Sequence, residues 1–337
     1  MDDAGRRTRR APASSSAAGA VLGNRWTRFA TWRLGRLIVA FCVLLIATFL
    51  IIRLVPGDPV RAALGPEATE ELIEFRRQQL GLDKPLWMQF VDYVTGVLRG
   101  DFGVSLGTDQ PVADLLAARF PATIALGLVA FALAFAGSLL VGYLVAVVTR
   151  SGSRRWLEVL FTGVTGTFSS VPGFLLAVLL VVVFALWLGW FPVGNLTGPS
   201  SFVLPAVALA AAPAAALTRT ARLQTATVLD QDYVLTARSR RLSPLRIHLR
   251  HVLPNMMAAS LALGGIVLID MLVGSVLVET VFNWPGIGRE LVDAILTKDY
   301  PVVQAIVLCF GVLVLIVTAV VDAAVALLNP RSTALEG

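Results

Sequence analysis

Long apolar runs are the feature that most constrains how this chain can fold. A helix needs about 20 residues to cross the roughly 30 Å hydrocarbon core of a bilayer. Six runs qualify, at 37–55, 121–148, 157–190, 202–217, 254–278 and 301–328. Only 15% of the 337 residues are charged and 56% are hydrophobic, which excludes a soluble, disordered or fibrous protein. The pattern predicts an all-α membrane protein with six transmembrane helices.

The distribution of arginine predicts how these helices are oriented. Eight arginines precede the first run, and further arginines lie between the second and third runs and between the fourth and fifth. Cytoplasmic connections collect basic residues, so both termini are expected in the cytoplasm of a bacterium, with the chain in its plasma membrane. The connection at 279–300 is mostly acidic and is expected outside. Topology thus explains the net charge of +6, without nucleic acid as a partner.

The segments outside the runs divide the chain. Residues 1–33 are rich in Arg, Ala and Ser and predict a disordered cytoplasmic tail, followed by a membrane domain at 34–331 and a short cytoplasmic tail at 332–337. Residues 56–119 predict a small extracytoplasmic cap. A short helix is expected there over 69–80, because glutamates begin that stretch and arginines end it.

The longest cytoplasmic connection, 218–253, predicts two short helices joined by a turn. The first is expected through 232–238, and Ser243-Pro244 marks the start of the second. In the second helix an apolar row and two basic residues recur at helical spacing: Leu242, Leu245, Leu249 and Val252 beside Arg246 and Arg250. Such a surface suits docking of a soluble protein, and a basic helix on anionic lipid explains it equally well.

The sequence of this connection, DYVLTARSRRLSPLRIHLRHVLPN at 232–255, resembles the EAA loop of permease subunits from binding-protein-dependent ABC importers, in the peptide and nickel branch. Further matching segments are LVPGDP at 54–59, LGLDKPL at 80–86, RFPAT at 119–123, VETVFNWPGIGRELVDAIL at 278–296 and DYPVVQ at 299–304. The resemblance extends over 34–331. It is strongest to the B-type permeases of dipeptide and oligopeptide importers.

The resemblance implies a type I ABC importer permease fold in which the cytoplasmic loop forms coupling helices that contact ATPase subunits. The residues expected to serve this coupling are Asp232, Tyr233, Ala237, Arg238, Arg241, Leu242, Ser243, Leu245, Arg246, Leu249 and Arg250. Arg241 stands where the family usually has glycine. A side chain in a left-handed turn costs roughly 1 kcal/mol or more.

The resemblance also places an extracytoplasmic gate in the loop at 279–300. Its expected residues are Glu279, Asn283, Trp284, Pro285, Gly286 and Gly288. From the residues alone this segment is a tight turn with a tryptophan at the membrane interface, before a short helix at 289–296. Direct contact with a peptide and a purely structural turn both remain open.

Asp270 is the one ionisable residue expected deep inside a span. A carboxylate there is costly unless it faces water or a partner. It could line the translocation path and meet the amine of a peptide, or it could pair with a companion permease.

The chain is not expected to be an enzyme. A phosphate-binding loop needs Gly-Lys-Ser/Thr, and the two lysines, Lys84 and Lys298, stand in other contexts. We therefore expect no cofactor and no metal in this chain, with ATP and Mg²⁺ acting in two cytoplasmic ATPase subunits. The other expected partners are a homologous second permease, an extracytoplasmic solute-binding protein, membrane lipid and a di- or oligopeptide substrate. Nickel, glutathione or another small solute is an alternative cargo, and an ion-coupled secondary transporter is an alternative class.

Overall fold

The structure is a computed structural model that describes residues 15–54, 59–65, 67–79, 81–150, 152, 154–194, 196 and 198–328. The regular elements in those ranges are helices, with one isolated bridge between Val104 and Pro111. The helices are α1 (Ser15–Leu54), α2 (Pro59–Leu64), α3 (Glu70–Gln79), α4 (Leu86–Arg99), α5 (Val112–Thr149), α6 (Arg155–Ser170), α7 (Gly173–Leu180), α8 (Val203–Leu229), α9 (Asp232–Ser239), α10 (Pro244–Ile247), α11 (Leu253–Val281), α12 (Ile287–Leu296) and α13 (Tyr300–Leu328).

Among the described residues, five continuous helical stretches are long and apolar enough to span a membrane. They are Thr31–Ile51, Val112–Thr149, Pro199–Leu229, Ser260–Val281 and Tyr300–Ala324. A sixth span is formed if α6 and the helix Gly173–Trp187 are counted together, although they are bent by 97°. The bend falls at Val171-Pro172, where the proline ring forces the preceding residue into an extended conformation. The all-helical membrane fold predicted from the sequence is confirmed.

Two predicted boundaries need correction. Helix α1 begins at Ser15, so residues 15–33 are helical and not disordered, whereas 1–14 and the tail at 332–337 lie outside the described residues. Alanine and arginine favour helix, and adding residues to an existing helix is cheaper than nucleating a new one. The fourth span also continues past 217 to Leu229, so the first third of the predicted cytoplasmic connection belongs to α8.

The centre of the bundle is a close contact between α5 and α8. Helix α5 buries a small residue at every fourth position: Ala130, Ala134, Ser138, Gly142 and Ala146. The Ser138 hydroxyl donates to the Ala214 carbonyl of α8 at 3.0 Å. A Cβ on Gly142 would lie 2.7 Å from the Ala221 Cβ and 2.7 Å from the Thr218 carbonyl. Small residues therefore let the two backbones approach, which is how apolar helices gain packing energy in lipid.

Helix α11 packs beside this pair, against α5, α8 and α13, and α1 packs on α13. Gly264 of α11 meets the Phe135 ring, and Gly265 meets Val321. The predicted cap helix at 69–80 is present as α3. The cap is tied to the bundle by Asp299, whose carboxylate accepts hydrogen bonds from the Leu106 and Gly107 amides at 3.2 Å each.

Candidate functional site: the turn between α9 and α10 and the turn before α12

The turn between α9 and α10 contains a left-handed residue at the position where the family usually has glycine, although the residue here is an arginine. Arg241 has φ of 55°, in the left-handed region. Its amide donates to the Arg238 carbonyl at 2.9 Å, and the Leu242 amide donates to the Ala237 carbonyl at 3.3 Å. This pair of bonds is the Schellman helix end, in which glycine normally supplies the left-handed residue.

Helix α10 begins where the sequence predicts, with Ser243 as the N-cap residue and Pro244 at the first helical position. Ser243 contributes its carbonyl, which accepts from the Ile247 amide at 3.1 Å. The helix then continues through a π-helical stretch, His248–Val252, directly into α11. Pro254 lacks the N–H that would bond the Arg250 carbonyl, and the wider turn falls just before it. Helix α10, the π-helical stretch and α11 thus form one continuous helical segment.

The predicted apolar row of the second short helix does not form one face. Val252 is fully buried, whereas Leu245 and Leu249 are 70% and 58% exposed. The wider turn of the π-helical stretch moves residues three positions apart out of line, so Val252 no longer shares a side with Leu249. Ile247, which lies outside the predicted row, supplies the buried contact instead and packs with Val234.

The exposed residues of this region combine apolar and basic side chains. All five of Tyr233, Leu245, Arg246, Leu249 and Arg250 are exposed. We call them the coupling surface, after the role that the resemblance implies for them. Of the other residues expected in coupling, Asp232, Arg238, Arg241 and Ser243 are also exposed, Leu242 is half-buried and Ala237 is buried. The region therefore presents most of the predicted residues outward.

Contacts to α5 and α6 fix the base of this region. Arg150 pairs with Asp230 at 2.8 Å, and Arg222 pairs with Glu158 at 2.6 Å. The ring of His248 meets the Tyr143 ring edge-on, with centroids 5.7 Å apart. Burial, followed by the nearby positive charges of Arg238 and Arg150, lowers the pKa of His248.

On the opposite side, Trp284 lies inside the protein and not at the membrane interface, which corrects the sequence prediction. It is 1% exposed, its indole N–H donates to the Ala122 carbonyl at 3.1 Å, and Phe202 meets its ring edge-on at 4.7 Å. The Trp-Pro-Gly pattern indicates a turn but does not reveal what folds over it. The burial of Trp284 in this conformation favours a structural role for the turn over direct contact with a substrate.

The buried carboxylate of Glu279 caps the start of α12. Its Oε2 atom accepts from the Gly288 amide at 2.8 Å and from the Arg289 amide at 3.2 Å. The Ile287 amide donates to the Thr123 hydroxyl of α5 at 2.9 Å. Because the N-cap residue, Gly286, has no side chain, acceptors from α11 and α5 satisfy the first amides of this helix.

The glycines of this turn are required by close approach. A Cβ on Gly288 would lie 2.7 Å from the Val276 Cα and 2.8 Å from Glu279 Oε2, and a Cβ on Gly286 would lie 2.5 Å from the Thr123 hydroxyl oxygen. The left-handed position of the turn is instead taken by Asn283, with φ of 50°. Sequence reasoning selected Glu279 and both glycines, but it did not foresee the contribution of Thr123.

Asp270 lies on a face of α11 that the described residues leave uncovered. Leu263, Ile266, Val273 and Leu277 share that face and are 38% to 59% exposed. Asp270 is also exposed, near the middle of the span Ser260–Val281. The structure thus brings the carboxylate to a face that is available to a partner helix or a water-filled path.

Comparisons with known proteins agree with this architecture. Residues 138–334 match the family described as binding-protein-dependent transport system inner membrane component, and residues 26–127 match the N-terminal family of the same membrane components. The chain belongs to this family, the multi-pass inner membrane permease subunits of ABC importers.

Individual relatives are similar over most of their length. The glutathione transport system permease proteins GsiC of Escherichia coli (strain K12) and Shigella dysenteriae serotype 1 (strain Sd197) are each 39% identical over 298 residues, which is 88% of this chain and 96% of the relative. A structure of the MetNI methionine ABC transporter, described as inward facing, matches with a TM-score of 0.55 and 19% identity, over 64% of this chain and 96% of that chain. The latter likeness shows the shared fold.

Family membership settles the class of protein. The chain is a transport subunit and not an enzyme, and ATP and Mg²⁺ act in separate ATPase subunits. The family also implies a partner permease and a substrate-binding protein. An ion-coupled carrier acting alone is therefore not the class of this protein.

We predict that Glu279→Ala destabilises the protein more than Asp293→Ala does. The first change leaves two amides of α12 without their acceptor, at a cost of about 1–3 kcal/mol for each buried group. Asp293 makes only an exposed pair with Arg289 at 3.6 Å, which contributes roughly 0–1 kcal/mol. The measurement is the thermal unfolding of both purified variants, with Glu279→Gln, which keeps one acceptor, expected between them. Equal stability of the two alanine variants would contradict the capping role.

Proposed function

We propose that this chain forms half of the translocation path for short peptides, glutathione among them, in an ATP-driven importer. The observation that carries the proposal is the 39% identity to glutathione permeases over 88% of the chain. Glutathione is itself a tripeptide, so this relationship and the resemblance to dipeptide and oligopeptide permeases point to one kind of cargo. Glutathione and other short peptides share amide groups, carboxylates and a free ammonium group.

The proposal assigns ATPase docking to the coupling surface. Exposed Leu245 and Leu249 supply apolar area, and Arg246 and Arg250 beside them favour an acidic or dipolar partner groove. Because α10 continues into α11, a displacement of the coupling surface acts directly on the fifth span. A basic helix that rests on anionic lipid would use the same leucines for insertion, so binding of ATPase subunits is the measurement that separates the two assignments.

We predict that Leu245→Glu weakens ATPase binding, whereas Leu245→Met does not. Burial of a leucine side chain is worth roughly 1.5–3 kcal/mol, so its loss weakens an interface by about tenfold to a hundredfold. The measurement is the amount of ATPase subunit that co-purifies with each variant, together with the rate of ATP hydrolysis. Wild-type co-purification and ATPase activity of Leu245→Glu would exclude this surface as the docking site.

The proposal places Asp270 on the translocation path. An ionisable group in the middle of a span is costly in lipid and therefore faces water or a partner. Its face of α11 is open in this chain, and the substrates proposed here carry an ammonium group that a carboxylate can bind. The competing assignment is a pair with a basic residue of the second permease, at the same open face.

We predict that Asp270→Asn impairs import of a peptide with a free amino terminus more than import of the same peptide N-acetylated. The amide keeps the size of the side chain but loses the charge that binds ammonium. Asp270→Glu is the matched control and should retain the preference. Transport into proteoliposomes of the complete complex checks this. Equal losses for both peptides, with less second permease co-purified, would assign Asp270 to the permease interface.

The proposed orientation keeps both termini in the cytoplasm, with the cap and the turn at 279–300 outside. The basic side chains Arg150 and Arg222 lie at one end of the bundle beside the coupling surface, and the capped turn of Glu279 lies at the other end of α11. The cap and this outer turn would then receive the substrate-binding protein.

The proposed function is tested by co-expressing the chain with the subunits encoded beside it and purifying the complex. We expect a second permease and ATPase subunits to co-purify, and binding protein loaded with a short peptide or glutathione to stimulate ATP hydrolysis and solute uptake. A complex that neither peptides nor glutathione stimulate, but that responds to nickel or another solute, would overturn the peptide assignment.

A further inference from the structure

Helix α4 of the cap has three chemically distinct sides. Trp87, Val91, Val94 and Leu98 recur at intervals of four, three and four residues and form one side, which we call the outer stripe. Trp87 is 66% exposed, Val91 49% and Leu98 71%. Across Leu86–Arg99, all of which the structure describes, no side chain is buried. The outer stripe is therefore an apolar surface that the described residues leave largely uncovered, with only Val94 half-buried.

A second side of α4 packs on the first membrane span and fixes the depth of the helix. The Tyr93 hydroxyl lies 2.8 Å from the Thr48 hydroxyl oxygen. The Phe49 ring lies 5.1 Å from the Phe90 ring and 5.9 Å from the Tyr93 ring. Thr48 and Phe49 belong to the last turn of the apolar span Thr31–Ile51. Helix α4 consequently lies level with the end of that span, at the edge of the hydrocarbon.

The third side of α4 is polar. It carries Asp92, Thr95 and Arg99, and Asp92 pairs with Lys84 at 2.7 Å. That charge pair raises the pKa of Lys84, which is fully exposed. A helix with one apolar side and one charged side, held at this depth, has the pattern of an interfacial helix.

The neighbours of α4 show which environment its outer stripe meets. Helix α1, on which α4 packs, contacts α13 and exposes a long apolar row of its own, with Ile38, Val39, Val43, Ile46 and Leu50 each at least 44% exposed. The translocation path is proposed beside Asp270 of α11, whereas α4 packs on α1. The outer stripe thus continues a surface that has the composition of lipid-facing helices.

We propose that α4 is an interfacial helix whose outer stripe, Trp87, Val91, Val94 and Leu98, inserts into lipid of the extracytoplasmic leaflet and holds the cap at the membrane surface. Each large apolar side chain that leaves water for lipid stabilises this position, and tryptophan is the residue most favoured at such an interface. The cap then has a set height at the membrane, which fixes the level at which a binding protein meets it. This inference requires a membrane-embedded permease but no particular solute.

The test measures the environment of single spin labels on α4. Cys42 and Cys309 are replaced by serine, and one cysteine is introduced at Val91, at Leu98 or, as the control on the polar side, at Thr95. The labelled chain, in complex with its partner subunits, is placed in nanodiscs of phosphatidylethanolamine and phosphatidylglycerol. Collision rates are measured with oxygen, which concentrates in lipid, and with a water-soluble nickel chelate.

We expect labels at positions 91 and 98 to collide several-fold more with oxygen, relative to the chelate, than the label at 95 does. Equal access of the chelate to all three labels would show that the stripe lies in water and would overturn the proposal. Shielding of 91 and 98 from both reagents would overturn it as well, because a protein partner would then cover the stripe.

A second measurement needs no label. Brominated lipid should quench more fluorescence in the wild-type complex than in Trp87→Phe, because the quenched fraction includes Trp87. The same quenched fluorescence in both proteins would argue against insertion. Both experiments report on lipid contact and not on transport, so their failure is distinguishable from failure of the proposed function.

Discussion

The close contact of α5 with α8 is the interaction on which the rest of the structure depends. In lipid, apolar helices gain no hydrophobic free energy when they associate. They must therefore gain van der Waals packing energy by bringing their backbones close together. The small residues of α5, with Gly142 against Ala221 as the tightest point, make this possible. Ser138 adds a hydrogen bond across the contact to Ala214. Helix α11 packs on both members of this pair and thereby acquires a fixed position.

Helix α11 connects the three regions that bear on function. It continues the π-helical stretch that carries Leu249 and Arg250 of the coupling surface, holds Asp270 on an open face, and ends beside Glu279, which caps α12. Its 29 residues span about 44 Å at 1.5 Å per residue. A rigid element of this length can transmit a movement of the coupling surface to the turn before α12 without a separate signalling path. The buried cap of Glu279 fixes the end of α11 to the start of α12, because loss of the carboxylate leaves amides of α12 unsatisfied.

Local patterns predicted the elements well and the side-chain environments less well. The apolar runs and the start of α10 at Ser243-Pro244 depend on hydropathy and capping, which neighbouring residues largely decide. The sequence left the geometry of the turn at Arg241 open, and the structure gives this residue a φ of 55°. The predicted row from Leu242 to Val252 was wrong because a π-helical stretch changes the spacing within it. Trp284 was misplaced because Ala122 and Phe202, which enclose it, are far away in the sequence.

The sequence by itself determined that this protein is a helical membrane permease of a recognisable family, because span length, composition and motif spacing are properties of consecutive residues. Only the tertiary structure decided which side chains of those segments are available. It exposes Leu245 and buries Val252, brings Thr123 to the first amide of α12, and leaves Asp270 on an open face. The physical reason is that exposure and hydrogen-bond satisfaction depend on which helices meet, and these contacts join residues separated by a hundred or more positions.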